Sequence, residues 1–503
     1  MIKYLSLSAL LLTTTVRAGD WPQWGGTNER NMSSPETGLP GSFDPGKSKL
    51  GSEEIDLTTT KNVKWVAKLG SQSFGNVTIS GGKVFIGTNN ASPRDPQYKD
   101  DRGILMCLDE KTGAFQWQLV VPKLASGKVN DWEYLGILSS PTIENNRVYL
   151  VTNRCEVVCL TTDGLAKGNT GPFITEGQYI AGPGKPPVKP NPKDADIVWR
   201  YDMIDELGVF PHNASNCDVM ILDDEIISST SNGMDWTHTN IPSPNAPTLI
   251  ALDKKTGKYL GEDDAQIGPK IFHGIWCSPS AGKVNGKTLV FFGGPDGFLY
   301  AFDPKPVKEG DDLHLKKIWW CDANPNGYRA KKYPAADGPS EINATPVFWK
   351  GHVYVAVGQD PEHGEGIGNL ICVDPTKTGD ITKTGIVWSY NKIHRSLSTC
   401  AITPDGLLFV GDFSGFLHCL DAETGKVYWV HDLKSHIWGS PLYADGKIYI
   451  GAEDGTFAVF AASKEKKLIA KMDMGDPVYS TPVVANGTLY VQTTTNLFAI
   501  KAK

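Results

Sequence analysis

A chain of 503 residues with 40% hydrophobic and 21% charged side chains has ordinary globular composition, which excludes disorder, collagen or a membrane-helix bundle. Its 53 glycines and 33 prolines point to many turns in place of long helices. Lys and Arg number 49 against 56 Asp and Glu, and a net charge of −7 argues against a protein that seeks nucleic-acid phosphates.

The N-terminus pairs one Lys at position 3 with an apolar run from Tyr4 to Leu12, and then reaches Val16-Arg17-Ala18. Such a run is too short to span a bilayer and has the build of a cleavable secretory signal peptide over residues 1–18. The expectation is an exported mature chain, periplasmic or secreted, with no transmembrane segment. A lead-in over 19–61 precedes a single repeat domain over 62–503.

One phrase recurs along that domain: apolar-Leu-Asp, two residues, Thr-Gly, three residues, Trp. It stands at Cys107-Leu108-Asp109, Thr112-Gly113 and Trp117, and again at Cys419-Leu420-Asp421, Thr424-Gly425 and Trp429. Weaker copies begin at Ala251 and Cys372. The phrase reads as a strand ending at the Asp, a tight turn, and a returning strand carrying the aromatic. A second phrase, Ser or Thr followed by Pro and apolar residues, opens each unit, as at Ser140-Pro141, Ser278-Pro279, Thr345-Pro346, Ser440-Pro441 and Thr481-Pro482. Proline at a strand's first residue costs no ladder hydrogen bond.

Labelling the strands of a unit A to D, eight A strands begin near Phe74, Ser140, Asp218, Ser278, Thr345, Cys400, Ser440 and Thr481. Eight D strands centre on Trp65, Trp117, Trp199, Leu260, Trp320, Trp388, Trp429 and Leu468. The first D strand precedes any A strand and the last unit lacks one. The chain therefore reads as an all-β, eight-bladed propeller of four-stranded antiparallel blades, closed by the N-terminal strand completing the C-terminal blade. The D-strand Trp residues should wedge between blades. Nine cysteines, an odd count with no Cys-x-x-Cys, read as buried thiols within equivalent strands.

These phrases, with the entry Asp20-Trp21-Pro22-Gln23-Trp24-Gly25-Gly26 and Asn62-Val63-Lys64-Trp65, resemble the pyrroloquinoline-quinone (PQQ) type propeller repeat. Two groups carry it: the quinoprotein dehydrogenases and the outer-membrane protein assembly factor BamB with its relatives. The resemblance to the dehydrogenases implies PQQ and Ca²⁺ over one mouth of the channel, usually covered by a disulfide between adjacent cysteines. No adjacent pair exists here; Cys155 and Cys159 are the nearest. The resemblance to BamB implies no cofactor and work through protein contacts.

Propeller topology brings D-to-A and B-to-C connections to one mouth. The long connections are mainly B-to-C, at 89–103, 232–248 and 358–369, so that mouth is the elaborated one. A Gly- and Pro-rich C-to-D insertion over 161–195 is expected to be irregular and on the opposite face. The ligand-binding candidates at the elaborated mouth are Glu133, His212, Asn213, Asn216, Asp235, His238, His273, Trp276, Glu341, Asn343, Arg395 and Trp438. The loop holding Asp360, Glu362, His363 and Glu365 offers mixed oxygen and nitrogen ligands for Zn²⁺ or another transition metal, and Asp235 and His238 lie on a second loop of that mouth.

No Gly-x-Ser-x-Gly, Walker or dinucleotide motif is present. The first reading is a binding or scaffold propeller, with a protein partner or a small-molecule or glycan ligand at one face. The second is a quinoprotein oxidoreductase in which Glu133 or Glu341, Asn216 and Arg395 hold cation and quinone, with a carboxylate as general base. A third is a lectin using Trp236, Trp276 and Trp438.

Overall fold

The computed structural model describes residues 19–310, 312–359, 363 and 366–502. The leader read over 1–18, and Asp360, Glu362 and Glu365, lie outside the described residues. Eight antiparallel sheets form the eight blades of a propeller. Their A strands are Thr78–Ser80, Thr142–Glu144, Met220–Leu222, Ser280–Val284, Val347–Trp349, Ala401–Ile402, Leu442–Ala444 and Val483–Ala485. The D strands are Phe115–Pro122, Ile197–Asp202, Tyr259–Asp263, Lys317–Asp322, Ile386–Tyr390, Val427–Asp432 and Leu468–Asp473, with Val63–Lys68 in blade 8. Val63–Lys68 pairs antiparallel with Asn496–Ile500, so the last blade is completed by the first strand of the domain, as expected.

The repeated phrase is an inter-blade latch. Asp109 Oδ1 accepts from the Thr112 backbone N–H at 2.9 Å and from its hydroxyl at 2.7 Å, which bends the chain into the tight turn. Gly113 follows at φ +72°, and a Cβ there would lie 2.7 Å from the Trp65 ring of the preceding blade. Gly257 and Gly425 stand in the same relation to Trp199 and Trp388. Each indole N–H then donates to a carbonyl of the turn it covers: Trp65 to Glu110, Trp117 to Thr162, Trp199 to Lys254, Trp388 to Ala422 and Trp429 to Ser463. Every C–D pair also carries a β-bulge at this point, which raises the local twist of the outer strand.

In blade 4 the residue at the latch position is Trp319, not Trp320, though its indole N–H makes no bond to the next turn. The bulge falls between Ala301 and Phe302 and sets Trp319 opposite Ala301, as Trp117 sits opposite Cys107. Trp319 is fully buried while Trp320 is only partly so. The nine cysteines are buried and unbonded to one another.

The outer edges of three blades are covered by C-to-D excursions from the next blade. The 161–195 insertion does not stay irregular on the far face. It forms a short helix, Glu176–Ala181, and pairs Asp194 with Gln118 along the edge of blade 1. A hairpin of Val307–Glu309 and Asp312–Leu315 pairs with the edge of blade 3, and Gly379–Asp380 with the edge of blade 4. Covering exposed edge strands removes sites for unwanted pairing.

The lead-in seals the mouth formed by the A-to-B turns. From Gly19 to Ser34 it bonds to the A-strand ends of successive blades in ring order. Asn486 N donates to Gly19 O, Trp21 pairs with Ile79, and Ile143 N donates to Pro22 O. Asn28 reaches Ile221 and Ala281, Glu29 reaches Phe348, Asn31 reaches Ile402, and Ser33 pairs with Tyr443. At its centre Arg30 is fully buried, and its guanidinium donates to Pro279 O, Trp24 O and Val219 O at 3.1, 2.6 and 3.2 Å. The segment then leaves across blade 7, where Tyr449 OH donates to Pro40 O and Phe43 packs on Phe457.

Arg30→Ala strands three buried carbonyls, each costing about 1–3 kcal/mol. The variant is expected to lose about 3 kcal/mol or more of stability in urea denaturation, against the roughly 0.5 kcal/mol of an ordinary surface change.

Candidate functional site at the open mouth

On the opposite mouth, the B-to-C loop of blade 3 lies between two D-to-A segments as a short irregular sheet. Asn232 bridges Pro211, and Gly233 bridges Gly274. Gly233 is required there, because a Cβ would meet His212 Cβ at 2.5 Å and His273 O at 2.8 Å. Asp235 then organises the loop tip by accepting from Thr237 N at 3.0 Å, Thr237 Oγ1 at 2.6 Å and Asn240 Nδ2 at 2.9 Å, which pulls its carboxyl down to about 2. This Asx turn sets His238 at φ 54° and turns it back toward the ring axis.

Four imidazoles meet as a result. His212 and His273, from the two D-to-A segments, are fully buried with ring centroids 4.2 Å apart. His238 lies 4.9 and 4.8 Å from them. His363, from the B-to-C loop of blade 5, lies 5.1 Å from His238 and 5.5 Å from His273. One ring nitrogen each of His212, His238 and His273 falls within 4.8 Å of the others.

Beside this cluster a funnel of about 460 Å³ runs down the ring axis. Its floor is Trp24 of the lead-in, held by Nε1 to Thr345 Oγ1 at 3.2 Å. Phe74, Trp132, Trp276, Trp438 and Tyr479 wall it, with Phe74 stacked on Tyr479 at 4.8 Å. Among the described residues, Asn213 Oδ1, Asn343 Oδ1 and Trp276 Nε1 are buried wall atoms with no protein hydrogen-bond partner. Asp218 is the charged residue of the lining. Burial pushes its carboxyl up to about 6 despite the nearby Arg30, whose guanidinium burial brings down to about 10.

The structure thus brings His212, His238, His273 and His363 together, and places Asn213, Asn216, Trp276, Asn343 and Trp438 on the funnel wall. Other candidates go elsewhere. Glu133 is exposed at the rim. Glu341 is buried, accepting from Asn343 Nδ2 at 3.1 Å, and is not part of the lining. Arg395 is buried among loops, donating to Ser340 Oγ, Ala335 O and His363 O, so it supports the His363 loop from behind. Trp236 packs on Trp132 at 5.7 Å with the Lys128 ammonium 4.7 Å from its ring, and it stays exposed outside the funnel lining. Trp24, Asp218, Phe74 and Tyr479 were not singled out from the sequence; the Trp21-Pro22-Gln23-Trp24 entry was the available cue for the floor.

Comparison with known proteins agrees with this architecture. The family model described as outer membrane protein assembly factor BamB matches residues 368–468. Over that stretch, about a fifth of its length, the chain is similar to the PQQ-type repeat. It is 24% identical to the quinoprotein ethanol dehydrogenase of Pseudomonas putida over 218 residues, 41% of this chain and 28% of that protein. It is 34% identical to BamB of Escherichia coli K12 over 71 residues, 14% of this chain and 18% of that one. The matched stretches therefore span less than a third of those relatives. Among solved structures, quinohemoprotein alcohol dehydrogenase from Comamonas testosteroni superposes with a TM-score of 0.62 at 11% identity, covering 98% of this chain and 82% of its own. BamB from Moraxella catarrhalis gives 0.52 at 13%, covering 87% and 98%. At these identities the structural likeness concerns the fold, which in propellers is compatible with many functions.

The Asp218 carboxyl gives a pH signature. Its folded value of about 6 lies above the ordinary carboxylate value, so the folded chain holds an extra proton between about pH 4 and 6. That contribution is present below the unfolded value and is lost as pH rises through about 6. Asp218→Asn removes it. The stability difference between variant and wild type should shift in favour of Asn by on the order of 2 kcal/mol between pH 4 and pH 7, read from paired denaturation curves.

Proposed function

We propose that this PQQ-repeat propeller is an exported binding protein that takes a neutral, hydroxyl-rich small molecule, such as a sugar unit, into the Trp24-floored funnel. The supporting observation is the funnel wall itself: flat aromatic rings interleaved with the side-chain amides of Asn213, Asn216 and Asn343. Apolar faces of a sugar ring suit stacking on indoles, and its hydroxyls both donate to and accept from side-chain amides of the kind that line the wall. The volume of about 460 Å³ falls within the usual range of small-molecule sites, roughly 300–1,000 Å³. Export rests on the Lys3 and Tyr4–Leu12 pattern of the leader.

The residues present do not fit PQQ. That cofactor carries three carboxylates, while among the described residues the funnel lining offers Asp218 and no Lys or Arg, so bringing the anion beside a buried acid would be strongly disfavoured. Arg395, the cation that the dehydrogenase likeness would recruit, spends its donors on loop oxygens outside the funnel. Among the described residues a hard cation finds no cluster of carboxylates in the funnel lining either. The likeness to dehydrogenases therefore reaches the scaffold, and the mouth has its own chemistry.

Tryptophan fluorescence titration with neutral mono- and disaccharides, with PQQ plus Ca²⁺ in parallel, tests this reading. Saturable quenching by a neutral sugar is expected, weakened about tenfold by Trp276→Ala through lost stacking and hydrogen bonding. Saturable binding of PQQ with Ca²⁺, and none of any neutral sugar, would overturn it.

A further inference from the structure

We propose that His212, His238 and His273, with His363 as a fourth partner, form a binding site for a borderline transition-metal dication of the Zn²⁺, Cu²⁺ or Fe²⁺ class. The site is distinct from the funnel and does not depend on what the funnel binds.

The tautomer of His212 is the first argument. Its Nδ1 lies 2.7 Å from Met234 O, and a carbonyl can only accept, so Nδ1 carries the proton. Nε2 is then the lone-pair nitrogen, and it faces the Nε2 of His238 at 3.1 Å. A histidine whose far nitrogen is fixed on a backbone carbonyl is the usual arrangement of a metal-ligating imidazole, because that bond sets the ring's orientation. The 3.1 Å separation is also near the roughly 3.3 Å expected between two nitrogens each about 2.05 Å from one tetrahedral metal.

Packing supplies the second argument. Four imidazoles converge edge to face, the measured centroid separations running from 4.2 to 5.5 Å, and two of them are fully buried. Three separate devices hold them there. The Gly233 contact admits His212 and His273, the Asp235 turn aims His238, and Arg395 and Gln359 grip the His363 carbonyl. A core needs none of these to fill space, and Trp276 already packs on His273 at 5.3 Å and 90°.

The donor set decides the metal class. Neutral imidazoles suit Zn²⁺, Cu²⁺, Ni²⁺ or Fe²⁺ and serve Ca²⁺ or Mg²⁺ poorly, since those demand oxygen ligands. The carboxylate nearest to His238 in sequence, Asp235, is committed to Thr237 and Asn240. His212 and His273 lie at the inner side of the site, whereas His238 and His363 are only partly buried and line its approach from solvent. A metal held by the first three has room for His363 or an exchangeable fourth ligand on that side.

The test uses full mature protein stripped with chelator and titrated with Co²⁺, following visible d–d absorption and the melting temperature. The expected result is saturation near one equivalent, with an absorption spectrum typical of nitrogen ligation and a raised melting temperature. Zn²⁺ should displace the cobalt colour. His238→Ala changes a loop side chain away from the core, so it should fold as wild type by circular dichroism. It should weaken Co²⁺ binding by about 100-fold, and His238→Ala with His363→Ala should abolish it. His212→Asn provides a buried-ligand variant that keeps a donor toward Met234 O. Absence of saturable Co²⁺ binding in wild type, or binding unchanged in the folded His238→Ala/His363→Ala variant, would overturn the assignment.

Discussion

The structure depends on keeping eight wedge-shaped blades in a closed ring. Each blade is a twisted four-stranded sheet that is nearly flat at the axis and needs bulk between outer strands. At five of the eight junctions the latch supplies it: an indole on one blade lies over a turn of the next and donates its N–H to that turn's carbonyl. The glycine leaves room, the aspartate holds the turn, and the bulge turns the tryptophan inward. No interface is sufficient alone, so the chain closes the ring twice. The Val63–Lys68 strand seals the last sheet, and the lead-in threads the inner strand ends with Arg30 as its central tie.

That second closure shapes function. With one mouth occupied by Gly19–Ser34, the channel becomes a blind funnel floored by Trp24, and access is from the D-to-A and B-to-C side. Chemistry-bearing side chains therefore collect where the repeat is least regular. The loop of blade 3 is inserted between its neighbours' segments, and the loop of blade 5 reaches across to the same imidazoles. A scaffold with strict internal repetition thus has one asymmetric half, spanning blades 2 to 5, where the histidine cluster and the Asn213, Asn216 and Asn343 amides lie.

Much of this was legible in the sequence because the latch is local. Thr112-Gly113 and Trp117 sit within a few residues of one another, so their spacing revealed strand order, blade count and the offset that closes the ring. Register was legible only to within one residue: the bulge beside Ala301 makes Trp319 the wedge where the pattern suggested Trp320. The site was partly legible. Topology put His212, His273 and His238 at one mouth, yet only the fold shows that Gly233 lets them touch and that His363 arrives from blade 5. The acidic neighbours of His363 drew attention to that loop, while the partners of its imidazole proved to be histidines distant in sequence. Arg395 looked like a ligand-binding cation because its buried commitments to Ser340 and Ala335 depend on three-dimensional packing. The lead-in has no repeat to announce its path, so the Trp21-Pro22-Gln23-Trp24 entry marked its start without placing Trp24 at the floor of the funnel.

The most direct test of this account is hydrogen exchange followed by mass spectrometry, comparing 19–36 with the mouth loop 232–248. If the lead-in is an integral closure of the ring, the amides of Trp21, Met32 and Ser34 will exchange only with global unfolding, alongside the blade cores. The loop at 232–248 will exchange faster. Rapid exchange of the lead-in while the blades stay protected would contradict the account, since the funnel would then have no fixed floor and the channel would be open at both ends.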